Sequence, residues 1–109
     1  MDLYETIISP KALSQLDSYV DYILNTLMNP QAAMALLQDA IETRSLLARC
    51  AGSLGYCAHP VLKAEGYHPI RFTGHRYVML YRIEGKTVYV DGIYHQLQDY
   101  ENTFANESK

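Results

Sequence analysis

Residues 70–101, IRFTGHRYVMLYRIEGKTVYVDGIYHQLQDYE, decide the fold, because alternation along them separates an apolar set of side chains from a set holding three arginines and a histidine. Successive strand residues point to opposite faces. A turn at Glu84-Gly85 sets Ile83 opposite Lys86, Tyr81 opposite Val88, Met79 opposite Val90 and Tyr77 opposite Gly92. Arg82, Leu80, Val78 and Arg76 then face the other way, together with Thr87, Tyr89, Asp91 and Ile93. A second turn, at Thr73-Gly74 or Gly74-His75, adds a strand from Ile70 to Phe72 and sends Arg71 to the side of Arg76 and Arg82. A last strand running one residue past Tyr94 brings His95 to that side as well. Gly92 is the natural place for a bulge, which would break this alternation. The expected sheet has one face for the core and a second, half apolar and half cationic, for a partner.

Upstream of the sheet the period changes from two to between three and four. Leu3 to Ile8 reads as a short strand within residues 1–8. Ser9-Pro10 and Asn29-Pro30 each combine a capping side chain with proline at the first helical position. Leu13, Leu16, Val20, Ile23 and Leu27 follow the first cap at helical spacing, and Ala33, Leu37, Ala40, Ile41, Leu47 and Ala48 follow the second. So short a connection folds residues 9–51 into an antiparallel helix hairpin. Gly52, Gly55 and Pro60 mark a loop, residues 68–95 hold the antiparallel strands, and residues 96–109 form a tail. Leu97, Tyr100 and Phe104 of that tail are expected to pack back, and Ala105 onward to fray. The fold class is α+β: an N-terminal strand, a helix hairpin, then a three-stranded antiparallel sheet packed on the helices.

The chain has 109 residues, of which 49% are hydrophobic, so residues 1–109 can form a single domain with one core and no metal or disulfide staple. No apolar run is long enough to span a membrane, and MDLYETIIS lacks the basic start of a secretory signal, so the expected location is the cytoplasm. Cys50 and Cys57 lack the spacing of zinc or redox pairs and are expected as free thiols. His59, His68 and His75, with Cys57, are too irregular for a metal set, and no cofactor is implied. Net charge is −3, divided as −3 over residues 1–54, +2 over 55–98 and −2 over 99–109. A mildly basic sheet half suits an acidic or phosphate-bearing partner, but the broad positive field of a nonspecific nucleic-acid binder is missing.

Four stretches, SPKALSQLDSYVDYI, NPQAAMALLQDAI, LGYCAHP and the 70–101 segment, together resemble the RelE/ParE superfamily, the toxins of bacterial type II toxin-antitoxin modules. The most specific pieces are YRIEGKTVYV and HQLQDYE, the latter similar to the family's His-x-x-x-Asp ending. The resemblance implies a growth-arresting, plasmid-stabilising type of toxin held inactive by a cognate antitoxin. ParE-like members inhibit DNA gyrase by binding, whereas RelE-like members cut messenger RNA in the ribosome.

Cleavage of RNA without metal needs a base for the 2′-hydroxyl, cations for the phosphate and an acid for the leaving oxygen. His95 is the candidate base or acid, Arg71 and Arg76 the phosphate clamp, and Tyr94 or Tyr100 a phenol. Against this, Gln96, Leu97 and Gln98 stand where RelE-like nucleases often carry an arginine, and the chain is acidic. The long hairpin, LGYCAHP and HQLQDY look more like the ParE side. A third reading is an inactive homologue that only binds antitoxin. The expected antitoxin-binding surface comprises Arg71, Arg76, Val78, Leu80, Arg82 and Tyr89. His95 can equally serve a structural role by bonding a backbone group or Asp99, and Arg76 and Arg82 can pair with Asp91 and Glu84.

Overall fold

Two local signals start the helices as their sequences predict. In a computed structural model, which describes residues 3–107, Ser9 accepts the Ala12 N–H at 3.1 Å and Asn29 accepts the Ala32 N–H at 3.1 Å. Helix α1 spans Pro10–Asp21 and helix α2 spans Pro30–Cys50. Helix α1 runs on into a π-helical turn at Tyr22–Thr26. Met28 then reverses the chain in the left-handed region, φ 53°, a conformation that costs a side-chain-bearing residue about 1 kcal/mol.

The strands among the described residues are β1 (Glu5–Ile8), β2 (His68–Arg71), β3 (Tyr77–Glu84) and β4 (Thr87–His95). They form one mixed sheet in the order β1-β4-β3-β2. The three later strands are antiparallel, as their alternation predicts. Strand β1 joins them as a fourth, parallel to β4, with Glu5 beside Thr87 and Ile8 beside Val90. Past the end of β1, side chains of α1 take over its role. Gln15 accepts the Ile93 N–H at 2.9 Å, and Tyr19 donates to the Ile93 carbonyl at 2.7 Å.

The β3–β4 turn sits at Gly85-Lys86 rather than Glu84-Gly85. Gly85 has φ 62°, which glycine adopts without a Cβ penalty at the first position of a two-residue turn. Ile83 therefore pairs with Val88, two residues beyond the expected partner, and an even shift leaves the faces unchanged. Between Leu80 and Tyr81 the register jumps, with Tyr81 beside Val90 and Leu80 beside Gly92, so Asp91 is the extra residue of a bulge. Beyond it Met79 pairs with Ile93, Val78 with Tyr94 and Tyr77 with His95. An odd shift inverts faces. Gly92 itself is needed because a Cβ there would come within 2.6 Å of the Tyr94 ring.

Two cores result, one on each side of the sheet. Ala12, Leu16, Leu36, Ala40 and Leu47 of the hairpin pack on Met79, Tyr81, Val88, Val90 and Ile93. On the other side, Val78, Leu80 and Tyr94 are covered by Cys57, Leu62, Phe104 and Ala105. The cover comes from a short helix α3 (Pro60–Ala64), which begins where the expected loop ends, and from helix α4 (Tyr100–Glu107) in the tail. Three expectations are thereby corrected. The second sheet face is not open. Ala105 is buried instead of frayed, and Leu97 is 77% exposed instead of packed.

Candidate functional site

Arg71 ends β2 opposite Val78, on the sheet face away from α1 and α2, as alternation predicts. Arg76 stands one residue before β3, in the four-residue loop that follows Phe72, whose N–H donates to the Tyr77 carbonyl at 2.9 Å. Both guanidinium groups are exposed, and neither makes an ion pair among the described residues. The loop itself is clamped to α2. The buried carboxylate of Asp39 accepts the Thr73 N–H at 3.2 Å and the Gly74 N–H at 2.9 Å, and lies 2.6 Å from His75 Nδ1. Arg71 and Arg76 thus flank a turn fixed by a carboxylate that the sequence pattern does not single out.

The remaining expected residues are engaged inside the molecule. Arg82 binds Asp91 at 2.9 Å, pairs with Glu84, and lies over the Tyr89 ring at 4.5 Å. Tyr67 donates to the same Asp91 at 2.7 Å. Burial, reinforced by that hydrogen bond, pushes the Tyr67 phenol up to about 12, so it stays a donor near neutral pH. Val78 and Leu80 are fully buried in the second core and offer nothing to a partner.

His95 is corrected in its face. The bulge at Asp91 turns it towards Tyr77, on the hairpin side, where the two rings meet edge to face at 5.0 Å. Its Nδ1 accepts the Leu97 N–H at 3.1 Å, and its own N–H donates to Gln98 at 3.0 Å. The ring therefore caps the turn after β4, a backbone role that the sequence allowed. Tyr94 is buried with its hydroxyl on Glu107 at 2.5 Å, and burial followed by that bond raises its pKa. Tyr100 is half-buried against the second core. His95, Arg71 and Tyr94 are thus not gathered around one open site.

The histidines weighed as metal ligands have separate tasks. His59 caps α3 by accepting the Val61 N–H, and the His68 ring is stacked between Tyr56 and Tyr81. Among the described residues no cluster of His, Cys, Asp and Glu has the makings of a metal site. Cys50 is half-buried and Cys57 buried, both as free thiols. No helix among the described residues is long and apolar enough to cross a membrane.

An open apolar surface lies elsewhere, between β1 and the hairpin. Ile7, Leu13, Leu37 and Ile41 line a groove of about 440 Å³, with Arg44 at its rim donating to the Thr6 carbonyl at 3.0 Å. Leu13, Leu37 and Ile41 fit the helical period used to assign the core, but the apolar stripe is wider than the sheet can cover. That excess width was the available sequence signal.

Residues 6–100 match the family described as ParE toxin of type II toxin-antitoxin system, parDE. No curated protein matches the chain. Among solved structures, the chromosomal ParDE TA system from P. aeruginosa superimposes with a TM-score of 0.71 at 21% identity, covering 85% of this chain and 96% of that one.

Proposed function

The chain belongs to the family of ParE toxins of type II toxin-antitoxin systems, and from this premise we propose that it arrests growth in the bacterial cytoplasm by binding DNA gyrase rather than by cutting RNA. The observation that carries this reading is the bulge at Asp91. It places His95 on the hairpin side of the sheet while Arg71 leaves the opposite side, so the base and that half of the phosphate clamp do not converge, and only Arg76, whose carbonyl accepts the Gln96 N–H at 2.8 Å, stays beside His95. The net charge of −3 points the same way, since docking on ribosomal RNA rewards a basic surface. The test is direct. Purified chain added to gyrase should block supercoiling, added to ribosomes translating a message should leave the message intact, and His95→Ala should arrest growth as the parent does. Cut transcripts that vanish in His95→Ala would reverse the assignment to the nuclease, and a chain that arrests nothing would favour the inactive homologue.

The antitoxin, in this reading, lies along the apolar groove lined by Leu13, Leu37 and Ile41 and offers acidic groups to Arg71 and Arg76. The support is the exposure of those apolar side chains and the absence of ion pairs at both arginines among the described residues. Leu37→Asp with Ile41→Asp should weaken the complex by about thirtyfold or more at unchanged melting temperature. Undiminished affinity would remove the groove from the interface.

A further inference from the structure

The turn between α1 and α2 presents large apolar side chains to solvent. Tyr22 is 54% exposed, Leu27 55% and Met28 77%, with Leu24 beside them. All four fall within seven residues, and the i→i+5 bond of the π-helical turn sets Leu27 on the same side as Tyr22, with Met28 next to it. The backbone beneath is specialised. A π-helical turn spans Tyr22–Thr26, the Leu27 N–H donates to Tyr22 at 3.1 Å and the Asn29 N–H to Ile23 at 3.1 Å. Met28 occupies, at φ 53°, the position where helices ordinarily end in glycine. Such turns concentrate at functional sites, and here the backbone holds a methionine in solvent that a glycine would replace without strain.

Charge selects the partner. From Ala12 to Thr43 the chain carries no Lys, Arg or His, while Asp17 and Asp21 are exposed on the turn's α1 side. Asp21 is held by Asn25 at 2.6 Å, and the nearest base on α1, Lys11, is occupied by Glu107 at 3.2 Å. An apolar patch with an anionic flank repels nucleic acid and repels its own copy. It fits a protein surface with apolar pockets and a cationic border. We propose that the Tyr22–Met28 turn is the surface by which this toxin docks on its protein target, a basic and apolar patch of DNA gyrase. The proposal rests on the gyrase reading for the name of that target and on the turn alone for the place of contact.

Met28→Gly and Leu27→Ser test it, separately and together. Met28→Gly suits the positive φ, so it removes the side chain without threatening the fold. The expected result is an undiminished melting temperature, unchanged antitoxin affinity, and growth arrest and gyrase inhibition weakened about tenfold or more. Asp17→Lys with Asp21→Lys should likewise weaken gyrase binding, and most at low salt. Growth arrest as strong as the parent's in all three variants would overturn the proposal, as would antitoxin affinity falling while arrest persists. If the parent arrests growth without touching gyrase, the gyrase reading fails and the growth assay still decides the turn. A charge-reversed turn that binds gyrase more tightly would overturn the proposal too.

Discussion

Asp39 and His75, 36 residues apart in the chain, meet at 2.6 Å, and the same carboxylate takes the N–H groups of Thr73 and Gly74. A single buried side chain of α2 therefore fixes the loop that carries Arg76. Asp39→Ala should destabilise the protein by about 2 kcal/mol, because the charge-assisted bonds that hold the exposed loop are lost. Asp39→Asn should recover only part, since its amide turns a donor towards the others. Urea unfolding of the three proteins measures this, and an alanine variant as stable as the parent would show the clamp to be idle.

Leu80→Ala distinguishes core from interface. The side chain is fully buried in the second cluster, so truncation should cost about 3 kcal/mol of stability and leave the antitoxin's affinity for folded toxin unchanged. Calorimetric titration alongside chemical unfolding separates the two quantities.

The surrogate strand made by α1 has a measurable worth. Tyr19→Phe removes the donor to the Ile93 carbonyl, and Gln15→Ala removes the acceptor of the Ile93 N–H. Each should cost about 1 kcal/mol, and hydrogen exchange at the Ile93 amide should quicken in Gln15→Ala alone.

Acid should loosen the C-terminal cover. The Tyr94 hydroxyl holds the Glu107 carboxyl below its ordinary value near 4.5, with Lys11 adding to the effect. A carboxylate of lowered pKa contributes stability that is complete above its unfolded value and disappears as pH falls through the folded one. Glu107 is a surface group, so solvent screening keeps the contribution small. The melting temperature should therefore fall below pH 4.5 less steeply in Glu107→Gln than in the parent, and identical slopes would contradict this.

Thiol chemistry should tell the two cysteines apart. Burial pushes the Cys57 thiol up to about 12, with the nearby Glu101 carboxylate adding to it, so the thiolate that reacts is scarce at neutral pH. A disulfide reagent should label half-buried Cys50 first and reach Cys57 only on unfolding. Rapid native labelling of Cys57, seen by peptide mass, would show the second core to be open.

The helix hairpin was legible in the sequence because Ser9-Pro10 and Asn29-Pro30 are local signals acting over three residues. The strands were legible for the same reason, down to the bulge that Gly92 flagged. What the bulge does to His95 was not, because one extra residue inverts every side chain after it and alternation cannot say which strand carries the insertion. The second core escaped as well. Phe104 was expected to pack back and does, but Cys57, Leu62 and Tyr67 come from short segments too brief to show a period, so Val78 and Leu80 read as uncovered. Arg71 was placed correctly, since its strand pairs without irregularity, whereas Arg82 had its carboxylates nearby in the same hairpin. The clamp at Asp39 joins distant segments and leaves no periodic trace.

The parallel pairing of Glu5–Ile8 with Thr87–Val90 bears on how the protein is born. The first strand made must wait for the last, and while β4 is still enclosed by the ribosome the segment around Ile7 has no mate. A nascent chain that has not yet exposed β4 therefore lacks the finished sheet.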